Sequence, residues 1–142
     1  MKDIALKYFH SGLSVIPVGL DKIPTIKSWK ERQSKLISPN GEFETAKGIA
    51  VITGEISGGL ECIDIDLKYD ISGTLLQRFK DSIKQIDGSI LKKLLVEKTT
   101  NGGYHFIYRY QTEEKRDGNL KLASRYTTDE RSEEHTSELQ SH

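Results

Sequence analysis

Apolar and polar residues alternate over residues 60–67, and this pattern predicts a β-strand with two unlike faces. Successive side chains of a strand point to opposite sides of a sheet. One predicted face carries Ile63, Ile65 and Leu67, and the other carries Cys62, Asp64 and Asp66. Like charges repel and aspartate is depleted in strands, so the paired carboxylates do not favour folding by themselves. A divalent cation such as Mg²⁺, which binds one or two carboxylates together with phosphate oxygens, would offset that repulsion.

Helical spacing of apolar residues occurs in two segments. Residues 3–10 place an apolar stripe on one face, and Gly12 follows as a stop signal. A second helix is predicted from a cap at Ser72 to about residue 86. Its apolar positions are Leu75, Leu76, Phe79, Ile83 and Ile86.

Two strands are predicted within residues 1–54. Residues 14–18 form an edge strand, because Pro17 has no N–H to donate to a neighbour. Residues 48–54 form a buried strand that pairs with the acidic strand through the turn at residues 57–59. The long connection 19–47 is expected to be irregular, with a helical turn in its middle.

A second hairpin is predicted near residue 100. Residues 94–99 and 104–110 have strand-like patterns, and the Thr-Asn-Gly-Gly stretch between them is a strong turn signal. Helical and strand segments thus alternate without a repeat. The chain is predicted to be an α/β (α+β) domain, with a mixed or antiparallel sheet and flanking helices.

The last predicted strand also has two unlike faces. One face carries Tyr104, Phe106, Tyr108 and Tyr110, and the other carries His105, Ile107 and Arg109. If this strand and the acidic strand share a sheet with matching faces, His105 and Arg109 project toward the carboxylates. Both groups donate hydrogen bonds to anionic oxygen, and Gly103 lets a polyphosphate approach the backbone closely. The pattern predicts a site for a nucleoside triphosphate with Mg²⁺ or Mn²⁺.

Composition fits a single domain whose charges nearly cancel. The chain has 142 residues, with 21 basic and 21 acidic side chains. Residues 131–142 resemble the conceptual translation of a sequencing-library adapter, so they are expected to be a non-native tail after a domain at 1–130. Without the one arginine and three glutamates of that tail, 20 basic and 18 acidic residues remain. A nucleic-acid site must therefore be a local patch.

The single cysteine, Cys62, excludes an intrachain disulfide and a cysteine-based zinc cluster. No apolar run approaches the roughly 18 residues of a membrane span. The N-terminus lacks the apolar region of a signal peptide. A cytoplasmic protein without a membrane partner is expected.

Four motifs occur in an order that resembles a known family. They are Lys22-x-Pro24 with Trp29 downstream, the strand at 48–54, Ile63-Asp64-Ile65-Asp66, and Asn101-Gly102-Gly103-Tyr104-His105. The series is similar to the bifunctional primase–polymerase domain of the archaeo-eukaryotic primase superfamily, and the resemblance spans about residues 5–130. It implies the primase catalytic core as the fold.

The resemblance also implies functional roles. Asp64 and Asp66 match the metal-binding pair of that superfamily, and Gly103 and His105 match its small-x-His motif, whose histidine binds the incoming nucleotide. Arg109 is implied as a helper in phosphate binding. The implied reaction is two-metal nucleotidyl transfer templated by single-stranded DNA, in priming or DNA polymerisation. A helicase domain in the full-length protein and a plasmid or phage source are also implied.

One motif of the superfamily is missing from residues 1–130. Its third motif, a hydrophobic residue followed by an acidic one, lies on a later strand and completes the metal site. Asp129 and Glu130 follow Thr128 rather than a hydrophobic strand, so neither is taken as the third ligand. The chain is expected to be a C-terminally truncated catalytic domain that is inactive as it stands.

A module that binds single-stranded nucleic acid without catalysis is the main alternative. Residues 103–107 look like the aromatic strand of an RNA recognition motif. However, Gly102, His105 and Arg109 stand where that motif needs basic, small and aromatic residues. This alternative predicts binding of an oligonucleotide in the presence of a chelator, whereas the polymerase hypothesis requires metal.

Two further alternatives concern the aspartates alone. Asp64 and Asp66 could be an exposed strand face paired with Lys68 or Lys98, an arrangement that stabilises a protein only weakly. An Asp-x-Asp glycosyltransferase would share the metal chemistry, but nothing else in the chain favours a sugar acceptor.

Overall fold

The computed structural model describes residues 1–110 and, beyond them, the backbone of two strands, Leu120–Tyr126 and Thr136–Ser141. The chain divides into two compact units, Met1–Leu60 and Glu61–His142. Helices occur together with antiparallel strand pairs, so the α+β prediction is confirmed. Within the described ranges, no helix is long and apolar enough to cross a membrane.

The first unit contains one α-helix and a two-stranded sheet. Its helix α1 (Lys2–His10) is followed by β1 (Ser14–Val18) and, after the long connection, by β2 (Gly48–Ile52). The stop after α1 is confirmed, because Gly12 has a φ of 86°, a conformation that residues with a Cβ disfavour. β1 and β2 pair antiparallel, with Ser14 opposite Ile52.

The connection between β1 and β2 supplies part of the core of this unit. It contains two 3-10 helices, Lys27–Gln33 and Gly41–Phe43, so the predicted helical turn is present. Phe43 packs in the core with Ala5 and Val15. A long irregular segment is therefore fixed by burial of one of its aromatic side chains.

A buried arginine holds the same connection. The Arg32 guanidinium donates to the carbonyl of Val15 at 3.0 Å, forms an ion pair with Glu42, and lies over the ring of Phe43. Its Nε has no hydrogen-bond partner among the described residues. The Ser14 hydroxyl donates to the backbone carbonyl of Arg32 at 2.6 Å. These bonds tie both the side chain and the backbone of Arg32 to β1.

The second unit is a five-stranded sheet with a helix. Its elements are β3 (Leu60–Asp66, of which Leu60 belongs to the first unit), α2 (Leu75–Asp87), β4 (Leu95–Lys98), β5 (Tyr104–Arg109), β6 (Leu120–Tyr126) and β7 (Thr136–Ser141). The strand order is β4-β5-β3-β7-β6. Glu61 contacts Tyr108 while Asp64 contacts His105, so β3 and β5 run in opposite directions.

α2 packs against the apolar side of β3 and β5. Ile65, Phe79 and Phe106 form the buried centre, and the ring centroids of Phe79 and Phe106 are 4.9 Å apart. Ile63, Leu67 and Tyr104 pack around them, so the apolar faces predicted for both strands are confirmed. Ile86 is 83 % exposed, so the apolar stripe of the helix ends one turn earlier than predicted.

The predicted hairpin between residues 48–54 and the acidic strand is wrong. β2 pairs with β1, and only one isolated bridge, between Gly54 and Leu60, joins the two segments. A short 3-10 helix, Glu55–Ser57, replaces the tight turn that a hairpin needs. β2 is also only partly buried, because a two-stranded sheet leaves it as an edge.

The predicted start of the second helix is wrong by two residues, because the sequence places the cap at Ser72. α2 begins at Leu75 after an N-cap at Thr74. Ser72 instead bonds to Asp70 and Thr74, and Gly73 has a φ of 65°, which a helix does not contain. The Asp70 carboxylate accepts from the Leu75 N–H at 3.1 Å and so satisfies one N–H of the first turn.

β7 lies inside the segment that the sequence predicts to be a non-native tail. Its backbone pairs antiparallel with β3, with Gln140 opposite Asp64. Any extended segment can pair with a strand edge that offers free N–H and C=O groups. The origin of residues 131–142 therefore stays a prediction. Asp129 and Glu130 lie outside the described residues.

Candidate functional site

The two aspartates lie on the face of β3 opposite its buried side. Ile65, between them in sequence, is fully buried, whereas Asp64 and Asp66 are half-buried. Asp66 Oδ1 accepts a hydrogen bond from the Lys68 backbone N–H at 2.9 Å. This bond fixes one carboxylate at the end of the strand and leaves its second oxygen to other partners.

His105 reaches the same face from β5. Three hydrogen bonds close the turn before it. The Thr99 N–H donates to the Gly103 carbonyl and the Gly103 N–H donates to Thr99 Oγ1, both at 2.9 Å, and the Gly102 N–H donates to the Thr99 carbonyl at 3.1 Å. His105 Nε2 lies 3.5 Å from Asp64 Oδ1. The structure thus brings the predicted histidine next to the first predicted aspartate, because the two side chains lie on the same face of neighbouring strands.

Gly103 has a steric reason to be glycine. A Cβ at this position would collide with the carbonyl oxygen of Ile65 and would lie 3.2 Å from Thr99 Oγ1. Because the obstacle is backbone, rotation of a side chain does not relieve it. The close approach of β5 to β3 requires this glycine, and its predicted role toward a polyphosphate stays a prediction.

Arg109 lies away from the cluster formed by Asp64, Asp66 and His105. It is exposed at the last position of β5 and shares the face of His105 by alternation. Four residues separate the two side chains, so they stand about 13 Å apart along the strand. The structure does not place Arg109 beside Asp64, and its part in phosphate binding stays a prediction.

Glu97 belongs to the cluster, although it is not among the residues predicted from the sequence. This residue of β4 pairs directly with His105, and its Oε2 lies 3.9 Å from His105 Nδ1. The sequence did contain a signal for Glu97. The predicted turn, closed by Thr99 and Gly103, sets the register that pairs residue 97 with residue 105.

The negative charges of the cluster affect the pKa of the neighbouring Cys62 thiol. Burial, and then the charges of Asp64 and Glu97, raise the pKa of the Cys62 thiol from 9.0 to about 12. A thiol with this pKa is protonated near neutral pH and is a poor nucleophile. The structure therefore agrees with a packing role for Cys62.

The donor set fits a cation that arrives with phosphate oxygens. Asp64 and Asp66 are hard oxygen donors on one open face, and Mg²⁺ is commonly held by one or two carboxylates plus substrate phosphates. Across the described part of the chain, no group of three His, Cys, Asp or Glu side chains is arranged to hold a metal by itself. The aspartate pair thus suits a metal shared with a ligand, and not a closed structural site.

Comparison with known proteins identifies the family. No curated protein and no solved structure matches the chain significantly. The family described as bifunctional DNA primase/polymerase, N-terminal, matches residues 5–137, which include β3, the turn at Gly103 and His105. The chain therefore belongs to the bifunctional DNA primase/polymerase N-terminal family, whose members are associated with primase/polymerase nucleotidyl transfer.

Proposed function

We propose that the open face of β3 and β5 is the nucleotidyl-transfer site of a DNA-templated primase/polymerase. Asp64 and Asp66 hold Mg²⁺ or Mn²⁺, and His105 donates a hydrogen bond to a phosphate oxygen of the incoming nucleoside triphosphate. The observation that carries the proposal is the 3.5 Å separation of His105 Nε2 and Asp64 Oδ1 on the face opposite the buried core. A hydrogen-bond donor to phosphate and a ligand for a cation therefore lie side by side.

Each residue of the proposed site has a role in the reaction. When bound, the divalent ions lower the charge of the triphosphate and activate the attacking 3′-hydroxyl. The aspartates anchor these ions at the sheet, and the imidazole orients the triphosphate. Gly103 keeps β5 against β3, so the imidazole and the carboxylates stay in register. Single-stranded DNA is the proposed template, and no described residue is assigned as a third acidic ligand.

The module without catalysis is less well supported. Base stacking on a sheet requires aromatic side chains on its open face. Phe106 is only 1 % exposed and packs against Phe79, and Tyr104 packs with the same cluster. The open face instead carries His105 and carboxylates, which repel nucleic acid unless a cation is present.

Equilibrium binding of a deoxynucleoside triphosphate tests the proposal. We expect the chain to bind the nucleotide in Mg²⁺ and to lose binding in a chelator. Asp64→Asn and Asp66→Asn should each weaken metal-dependent binding by about 10-fold or more, since each removes a charged ligand. Asp81→Asn is the matched control, because it removes the same charge from an exposed position on α2.

Product formation is the second measurement. Single-stranded template, nucleoside triphosphates and metal should give labelled oligonucleotide in a catalytically complete protein, and Asp64→Asn should abolish it without unfolding the chain. Nucleotide binding that is unchanged by chelator, or by both aspartate substitutions, would contradict the proposed metal site.

A further inference from the structure

β4 places an acidic side chain directly against the histidine of the site. Glu97 is the antiparallel partner of His105, and such partners lie on one face with Cβ atoms about 4.5–5.5 Å apart. Glu97 Oε2 is 3.9 Å from His105 Nδ1, while Asp64 Oδ1 is 3.5 Å from Nε2. Each nitrogen of the imidazole therefore has its own carboxylate.

The two carboxylates are not equivalent. The Glu97 side chain is 65 % exposed, whereas the Asp64 side chain is 32 % exposed and belongs to the aspartate pair. β5 lies between β4 and β3, so His105 stands between Glu97 and the aspartates. No metal-binding group of three such side chains occurs within residues 1–110. The imidazole thus separates Glu97 from the aspartate pair.

We propose that Glu97 is a positioning residue for His105. Its carboxylate accepts the Nδ1–H of the doubly protonated ring and holds the ring so that the Nε2–H faces the aspartate side, where it donates to phosphate oxygens. The inference rests on the proposed function, because it explains how His105 is oriented for that task. A histidine that uses one nitrogen for a ligand commonly has the other held by a carboxylate or carbonyl, which fixes the ring. A contact of 3.9 Å shortens into a hydrogen bond when the ligand is in place.

Binding of a deoxynucleoside triphosphate in Mg²⁺ to the full chain tests this role. Glu97→Ala should weaken binding by about 10-fold, the usual scale for loss of a side chain that orients a ligand-binding histidine. Glu97→Gln should bind as the unchanged chain does, because the amide oxygen accepts the same hydrogen bond. Leu95→Ala is the control, since Leu95 lies on the same face of the same strand and is 66 % exposed.

The imidazole resonances supply a readout that needs no nucleotide. In nitrogen-15 NMR spectra of the metal-free chain, the His105 signals are identified by their loss in His105→Asn. Glu97→Ala should shift both ring nitrogens, because the ring is no longer held, whereas Glu97→Gln and Leu95→Ala should leave them in place.

The outcomes separate this inference from the proposed function. Unchanged nucleotide affinity in Glu97→Ala, or unchanged imidazole resonances, overturns the positioning role. Equal weakening by Glu97→Ala and Glu97→Gln also overturns it, because charge and not orientation would then matter. If the unchanged chain shows no metal-dependent nucleotide binding at all, the proposed function fails, and the role of Glu97 in nucleotide binding fails with it.

Discussion

The first unit buries a guanidinium in its core, whereas the second unit keeps the carboxylates and imidazole of its site on the open face of a sheet. Arg32 is 3 % exposed and is surrounded by Val15, Glu42 and Phe43. In the second unit, Asp64, Glu97 and His105 all keep contact with solvent. The core below them is formed by Ile65, Phe79 and Phe106.

The difference indicates what each charge is for. A charge buried with a partner holds a segment in one place, because separating the pair leaves an uncompensated charge in the interior. A charge on an open face contributes little to stability but can bind a ligand. The buried pair of the first unit therefore holds the long connection in place, and the charges on the open face of the second unit are accessible to a ligand.

The largest effect is expected at the apolar core of the second unit. Phe106→Ala should lower the free energy of unfolding by about 3–5 kcal/mol, because it leaves a cavity beside Phe79 and Ile65. Urea denaturation followed by circular dichroism measures the loss. Phe106→Leu should cost much less, since most of the volume is kept, and an equal cost for both variants would contradict a tightly packed centre.

The second largest effect on the free energy of unfolding is expected at the buried arginine of the first unit. Arg32→Ala should lower the free energy of unfolding by about 3 kcal/mol, since it breaks the pair with Glu42 and removes the bond to Val15. The fluorescence of Trp29, the single tryptophan of the chain, follows the same connection during urea denaturation. The double variant Arg32→Met, Glu42→Leu should recover part of the loss. A stable Arg32→Ala variant would remove the proposed difference between the units.

A smaller effect is expected where β5 meets β3. Gly103→Ala should destabilise the protein by about 1–3 kcal/mol, because its Cβ collides with the backbone of Ile65. Gly102→Ala is the neighbouring control, which meets no atom within 4 Å but has an unfavourable φ of 84°. We expect the distance-dependent NMR contact between His105 and Asp64 to weaken in Gly103→Ala and to persist in Gly102→Ala. Retention of that contact in Gly103→Ala would contradict the steric argument.

The last prediction concerns the reactivity of Cys62 and not the stability of the fold. With a pKa of about 12 instead of 9.0, the Cys62 thiol should react with iodoacetamide at pH 8 about 1,000-fold more slowly than in the denatured chain, measured in a chelator. The rate should keep rising with pH above 9, because the folded thiol still loses its proton there. Asp64→Asn should speed the reaction, since it removes one of the repelling charges. A rate that levels off near pH 9 would contradict this environment.

Local patterns predicted most elements of the fold. β1 has the predicted bounds, and the helix over residues 3–10 and the hairpin around Gly103 are present. Spacing of period 2 or 3.6, proline and glycine act within a few residues, so they can be read along the chain. The pairing of β2 with β1 could not be read in this way, because a strand's partner is chosen by packing over long sequence distances.

Which side chains share a face of a strand follows from the sequence alone. Alternation put Asp64 and Asp66 together on β3 and put His105 on the matching face of β5, because the period of a strand is fixed by its backbone. That these two faces adjoin, and that Asp64 Oδ1 lies 3.5 Å from His105 Nε2, depends on the tertiary structure. Arg32 likewise reads as one more surface charge until the fold buries it against β1. The physical reason is that spacing along a strand is local, whereas the order of strands and the burial of a charge depend on contacts between distant segments.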